Sequence, residues 1–106
     1  VWIIENNKKQ LDGYVKDVLD SGDLCKKFEA FDFNAICVKG DDVEAIYDAL
    51  TFEDPECPTA VILDNIKGAG VSGVEKTMDN HSMNANDETF QSWLEELYEK
   101  LADLEK

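Results

Sequence analysis

The residues best suited to hold a metal ion come directly after the first apolar run of the chain. Residues 1–4 are apolar, and Asn6 and Asn7 follow them in a polar stretch that closes with Asp-Gly at 12–13. Hard divalent ions such as Mg²⁺ or Ca²⁺ take oxygen ligands, often together with phosphates and water. One Asn side chain and one main-chain carbonyl would make half of an octahedral site. The stretch offers no obvious carboxylate for the other half, and an Asn pair also suits a simple turn.

Two further features lie in a stretch with little periodicity, residues 65–86. Gly68, Gly70 and Gly73 occur close together there, and glycine lets the backbone approach a ligand closely. The segment lacks the Gly-Lys-Ser/Thr end of a Walker A loop, and it is no dinucleotide fingerprint because we do not expect it to start a helix. His81 is the only histidine, so a histidine metal site or a Cys–His dyad has no support. Loop flexibility and a surface histidine remain the alternatives to ligand binding.

Apolar runs and helical periodicity predict the elements that position these residues. The strands are expected at 1–4, 35–38 and 59–64, and the helices at about 23–31, 42–52 and 87–104. We expect Asp41 and Asn86 to cap the last two helices. Strands that alternate with helices predict an α/β fold with right-handed βαβ units and a parallel sheet. Ligands of such sheets bind at the carboxyl ends of the strands.

The first predicted strand also suggests that other chain segments complete the sheet. A continuous apolar run indicates a strand buried on both faces. Three strands leave both edges bare, and residues 1–4 look too apolar for an exposed edge. We therefore expect another part of a longer chain, or a partner chain, to supply the missing half. The apolar stripe of the last helix is expected to dock on the surface, with a coiled-coil tail as the alternative.

Composition excludes several classes of partner. The chain has 24 Asp and Glu against 10 Lys and Arg, a net charge of −14, which argues against nucleic acid and anionic membranes. No apolar run reaches the ~18 residues of a membrane-spanning helix, and we expect no signal peptide. Cys25, Cys37 and Cys57 are expected to be unpaired thiols in a reducing cytoplasm, with Cys37 buried. The 106 residues are expected to form one domain at most.

Three stretches together resemble the transketolase-like enzymes that use thiamine diphosphate. Residues 3–13 (Ile-Ile-Glu-Asn-Asn-Lys-Lys-Gln-Leu-Asp-Gly) are similar to the second half of the family's cofactor motif, whose first half is Gly-Asp-Gly. Residues 31–40 and the following helix look like the next strand and helix. Residues 58–73 (Pro-Thr-Ala-Val-Ile-Leu-Asp-Asn-Ile-Lys-Gly-Ala-Gly-Val-Ser-Gly) are similar to the Pro-Thr strand and Lys-Gly-Lys-Gly-Val loop. His81 falls where the family has the histidine of Trp-His-Gly.

The resemblance implies a fold, a cofactor and a set of roles. Residues 1–106 would be the C-terminal part of the diphosphate-binding domain, a partial thiamine-diphosphate-binding fold completed by other segments. Asn7 and the Lys9 carbonyl would bind Mg²⁺ (or Ca²⁺). Gly68 and Gly70 would shape the loop over the cofactor, and His81 would donate a hydrogen bond near the diphosphate and the donor substrate. The activity implied is transfer of a two-carbon ketol unit between sugar phosphates or related ketoses.

The chain also departs from the family pattern. Glu5 replaces the usual Asp, Lys9 is more polar than usual, and Asn80 and Ser82 stand in place of Trp and Gly around the histidine. The Gly-Asp-Gly half and the pyrimidine-domain Glu are absent, so the chain is expected to act only with companion chains that supply them. The alternative is a degenerate, non-catalytic acidic α/β module that serves protein interaction.

Overall fold

Three parallel strands and the helices between them form the body of the chain. The computed structural model describes all 106 residues. The elements are β1 (Trp2–Asn6), β2 (Lys9–Gln10), β3 (Gly13–Tyr14), α1 (Val15–Val18), α2 (Leu24–Glu29), β4 (Asn34–Lys39), α3 (Val43–Thr51), β5 (Thr59–Asp64), α4 (Ser72–Lys76) and α5 (Asp87–Leu104). The predicted α/β class with a parallel sheet flanked by helices is confirmed.

β5 is the central strand of the sheet, whose order is β1-β5-β4 with both pairs parallel. Asp64 lies opposite Asn6 on one side and opposite Lys39 on the other, so all three strands end at one level. The buried core is small because the sheet has only three strands. Its members are Ala49, Thr59, Ala60, Val61 and Ile62, four of which belong to β5.

The first strand is not buried within this chain, and the three-stranded sheet leaves its edge bare as expected. β1 is an edge strand, and the side chains of Trp2 and Ile3 are both 60% exposed. The apolar run correctly indicated a strand, but a run cannot show what covers its two faces. Trp2 finds partial cover from an aromatic cluster, with its ring centroid 6.2 Å from that of Phe28 and 5.3 Å from that of Phe33.

Helix α3 begins one residue later than its capping signal suggested. Asp42, not Asp41, is the N-cap, and its side chain accepts a hydrogen bond from the Ala45 N–H at 3.0 Å. With the cap shifted, Glu44 no longer stands at the third helical position, where a capping box needs it. The Asn86 cap of α5 is confirmed, with its side chain accepting from the Thr89 N–H at 2.8 Å.

The expectation of three unpaired thiols was also wrong. Cys25 of α2 and Cys37 of β4 form a disulfide whose Cα atoms are 6.5 Å apart, and Cys57 alone is free. Cys37 is exposed, not buried. The two cysteines are 12 residues apart in the sequence. A disulfide that closes a loop of about that length stabilises a fold by on the order of 3 kcal/mol.

Helix α5 docks over only part of its length. Its middle turns lie against residues 70–73, where Trp93 and Leu97 approach Gly73 and Gly70. Phe90, Leu101 and Leu104 of the predicted apolar stripe are half or more exposed. None of the helices combines the length and apolar composition needed to cross a membrane.

Candidate functional site

The chain leaves β1 through a tight turn that orients Asn7. The Asn7 Oδ1 atom accepts a hydrogen bond from the main-chain N–H of Lys9 at 3.1 Å, and the Nδ2 group lies 3.4 Å from a Glu5 carboxylate oxygen. Between them Lys8 adopts a left-handed φ of 65°, which non-glycine residues seldom do. An amide oxygen has two acceptor positions. Asn7 therefore uses one to fix the turn and keeps capacity for another partner.

The Lys8 side chain turns toward the neighbouring strand end. Its ammonium forms an ion pair with Asp64, the last residue of β5, and both side chains are more than half exposed. Asp64 is thus the carboxylate that the structure brings beside this turn. It is engaged by Lys8, and no group of three or more His, Cys, Asp or Glu side chains is positioned to hold a metal ion. The sequence did place Asp64 at a strand end, but strand order was needed to put it opposite Asn6.

Lys9 connects the turn to the long segment that follows β5. Its ammonium donates to the main-chain oxygens of Glu75 at 2.7 Å and Thr77 at 2.9 Å, in partly buried surroundings. The two acceptors lie at the C-terminal end of the short helix α4, where carbonyl groups lack helical partners. The polar Lys9, unexpected at this position, therefore has a structural role for its side chain. Helix α4 gave no periodic signal because it is only five residues long.

The glycine-rich segment takes a shape that requires glycine at two positions, and Asn80 holds it in place. Gly68 and Gly70 have φ values of 82° and 104°, a region that favours glycine. A Cβ atom at Gly68 would lie 2.5 Å from a Val74 methyl carbon. The Asn80 Nδ2 group donates to the main-chain oxygens of Lys67 at 3.0 Å and Val74 at 2.9 Å. Contrary to expectation, the segment does lead into a helix, because α4 begins at Ser72.

His81 lies beside the start of the same segment. Its Nδ1 atom is 3.1 Å from the Lys67 ammonium, and both side chains meet at the surface. An ammonium can only donate, so Nδ1 is the acceptor and the ring proton of the neutral imidazole sits on Nε2. That arrangement leaves the Nε2–H group available as a donor. Asn80, which replaces the family's Trp, fixes the main chain directly before His81.

Helix α5 supports the other end of the glycine-rich segment. The Glu96 carboxylate accepts from the Ser72 N–H at 3.1 Å and from the Ser72 hydroxyl at 3.0 Å. The Lys100 ammonium, 2.6 Å from Glu96, also donates to the Gly70 carbonyl at 2.6 Å. Hydrogen bonds from Lys100 and then from Ser72 hold the pKa of Glu96 below its ordinary value. The sequence stripe predicted the apolar side of this helix but not these polar contacts.

Two cavities flank the carboxyl ends of the strands. One of about 340 Å³ lies against Asn6, Lys8 and the 20–22 segment, and another of about 310 Å³ lies against Lys39, Asp64 and Ala69. Neither is lined by Asn7, Gly68, Gly70 or His81. The structure therefore links the predicted site residues through Lys9 and Asn80 without enclosing them in one pocket.

Comparison with known proteins supplies the family context. No protein-family model matches the chain. The chain is 35% identical over 98 residues, 92% of its length, to one of the subunits of the apulose-4-phosphate transketolase of Actinobacillus succinogenes. The predicted resemblance to transketolase-like proteins is confirmed. The chain is also 28% identical over 93 residues, 86% of its length, to the 6-deoxy-6-sulfo-D-fructose transketolase subunit SqwG of a Clostridium species, strain MSTE9.

The chain spans only about a third of the length of these relatives. The alignments cover 36% of the first protein and 34% of the second. Both relatives are named as subunits of transketolases, which implies companion chains for each of them.

Proposed function

We propose that this chain provides one half of the metal–diphosphate clamp of a transketolase-like enzyme, a thiamine-diphosphate-dependent transferase. The observation that carries the proposal is the turn after β1, in which Asn7 is fixed at the carboxyl end of the sheet and Lys9 joins it to residues 75–77. That link connects the first motif of the family resemblance to the glycine-rich segment and His81. The similarity to transketolase subunits over nearly the whole chain supports it.

The oxygen donors of the turn suit a hard divalent ion. Asn7 Oδ1 and the main-chain carbonyl of Lys9 are neutral oxygens, the ligands that Mg²⁺ or Ca²⁺ accepts together with phosphate oxygens. Thiamine diphosphate, when bound, supplies the carbanion chemistry of the two-carbon transfer. The chain's own residues hold and orient it. Gly68 and Gly70 allow close approach of the backbone, and the Nε2–H of His81 donates toward the diphosphate and the donor substrate.

Companion chains complete the site in this proposal. They supply the Gly-Asp-Gly half with its metal-binding Asp and the pyrimidine-binding domain, and residues 1–106 act as the C-terminal part of the diphosphate-binding domain. Two observations support this assignment: the relatives are named as subunits, and β1 presents Trp2 and Ile3 at a free sheet edge. Exposed apolar groups on an edge strand favour pairing with a further strand.

The proposed substrates are anionic ketoses. One relative is named for apulose 4-phosphate and the other for a sulfonated fructose, so both names specify a sugar with a phosphate or sulfo group. A sugar phosphate or related ketose is accordingly the substrate class we assign to the assembly. A cytoplasmic location remains a prediction, and the disulfide between Cys25 and Cys37 removes the support that unpaired thiols gave it.

The decisive test is cofactor binding by the reconstituted complex. Thiamine diphosphate with Mg²⁺ would be titrated by calorimetry into this chain bound to a companion that carries Gly-Asp-Gly. We expect binding, and a loss of at least about tenfold in metal affinity for Asn7→Ala. The matched control is Asn7→Asp, which retains an oxygen that can both accept from Lys9 N–H and bind the ion. Absence of binding in the intact wild-type complex would instead support the non-catalytic interaction module.

A further inference from the structure

Two side-chain features join helix α2 to the sheet. One is the aromatic cluster, in which the Phe28 ring centroid lies 5.2 Å from that of Phe33 and 6.2 Å from that of Trp2. The other is the disulfide between Cys25 and Cys37. The hydrogen bond and ion pair that α2 makes with side chains are local, between Lys26 and its N-cap Asp23. Apart from the main chain itself, the disulfide is therefore the one covalent or polar link between this six-residue helix and β4.

The geometry of the cysteine pair suits reversible oxidation. The Cα atoms are 6.5 Å apart, inside the roughly 4.4–6.8 Å range that a disulfide can span. Cys37 is exposed, and thiol–disulfide exchange requires such access to the attacked sulfur. We propose that Cys25 and Cys37 are a redox-sensitive pair that controls how firmly α2 is held against the sheet.

A small disulfide such as glutathione disulfide is the oxidant in this proposal, and it is reduced to two thiols. The Cys37 thiolate attacks one sulfur of that disulfide, forms a mixed disulfide and releases one thiolate, which takes up a proton. The Cys25 thiolate then attacks the Cys37 sulfur, forms the intramolecular bond and releases the second small thiol. The protein loses two electrons and two protons, which the two released thiols carry. Excess reduced thiol reverses the sequence.

The segment that precedes α2 connects the pair to the candidate site. Asp20, Ser21 and Gly22 line the 340 Å³ cavity together with Asn6 and Lys8, which flank Asn7. Since the N-cap Asp23 follows directly, loosening α2 also loosens this wall. Oxidation thus orders one side of the cavity and reduction frees it. Only the consequence for cofactor binding rests on the proposed function; the redox pair itself does not.

Thiol counting and hydrogen exchange test the proposal independently of any activity. The protein, with any companion chain that copurifies, would carry Cys57→Ser so that Cys25 and Cys37 are the only thiols of this chain. After equilibration with glutathione disulfide we expect no free thiol in the chain, and after reduction two. Amide exchange across residues 20–29 should be at least about tenfold faster in the reduced protein.

The control adds Cys37→Ser in the same background. This variant should show the fast exchange of the reduced protein under both conditions, because it cannot close the bond. Two thiols that persist in the presence of glutathione disulfide would overturn the proposal. So would disulfides between chains, or equal exchange of residues 20–29 in the oxidised and reduced forms.

Discussion

The Lys9 ammonium lies 2.7 Å from the main-chain oxygen of Glu75 and joins the turn after β1 to the end of α4. Lys9→Met should therefore lower the free energy of opening this junction by about 1.5–3 kcal/mol, the usual contribution of a hydrogen bond to a charged group. The measurement is amide exchange of residues 72–78, which should become faster.

The matched control for Lys9 is its neighbour. Lys8→Met removes an ammonium whose partner Asp64 is, like Lys8 itself, more than half exposed. Exposed ion pairs contribute about 0–1 kcal/mol, so exchange of residues 72–78 should change little. Equal effects of the two substitutions would show that Lys9 is not a tether.

A methyl group at Gly68 should destabilise the glycine-rich segment. Gly68→Ala places a Cβ 2.5 Å from a Val74 methyl carbon at a φ of 82°. Gly22→Ala is the control, because its φ of 60° imposes a similar backbone strain while the nearest side-chain atom is 3.9 Å away. We expect Gly68→Ala to lower the free energy of unfolding by about 1–3 kcal/mol more than Gly22→Ala, as overpacking does. Denaturant unfolding would measure both, and a larger loss for Gly22→Ala would contradict the described packing.

Docking of α5 should depend on pH through Glu96. Lys100 and then Ser72 lower the pKa of its carboxyl in the folded state, so the unfolded chain binds the proton more readily. The stabilisation that ionised Glu96 gives to the folded state is complete above the ordinary glutamate pKa of about 4.3. It is lost as the pH falls through the lowered pKa of the folded state. Fluorescence of Trp93, which lies against Gly73, would follow the docking in a Trp2→Phe background.

Glu96→Gln should weaken the docking at neutral pH and remove most of its acid dependence. Glu95→Gln, one residue away on the same helix and without a described hydrogen bond, should preserve both. An unchanged acid transition in Glu96→Gln would assign the pH effect to another carboxylate.

Substitutions in β5 and β1 should cost different amounts of stability in the chain alone. These costs should become more alike in the assembly. Ile62 is 2% exposed, so Ile62→Ala should cost about 2–5 kcal/mol in either state. Ile3 is 60% exposed, so Ile3→Ala should cost less than about 0.5 kcal/mol in the chain alone. If a companion strand covers β1, the cost of Ile3→Ala rises in the complex. Thermal unfolding of both preparations would show it, and an unchanged Ile3→Ala cost would argue against strand pairing at this edge.

The sequence predicted local structure more reliably than burial. The apolar run at 59–64 matches β5 from end to end, and Asn86 caps α5 as expected, because both signals are local. The run at 1–4 is chemically similar to β5 but lies at an edge, since burial depends on which strand has neighbours on both sides. The Cys25–Cys37 disulfide could not be read from spacing, because pairing depends on how α2 lies on β4.

The candidate site was predictable in its residues but not in its connections. The resemblance named Asn7, Lys9, Gly68, Gly70 and His81, and their roles toward a cofactor remain predictions. The contacts of the Lys9 ammonium with residues 75–77 and of Asn80 with residues 67 and 74 join distant parts of the chain. No local pattern encodes such contacts, so they required the structure.

The central place of β5 has a consequence for the order in which the chain folds. β4, α3 and β5 are consecutive, so their contacts close a short loop, whereas Trp2 must pair with Ala60 across more than half of the chain. The entropy of loop closure grows with separation, and contacts between distant segments form late. We therefore expect β1 to join a β4–α3–β5 nucleus in the last folding step. The turn that carries Asn7 would then acquire its shape only after the rest of the sheet exists.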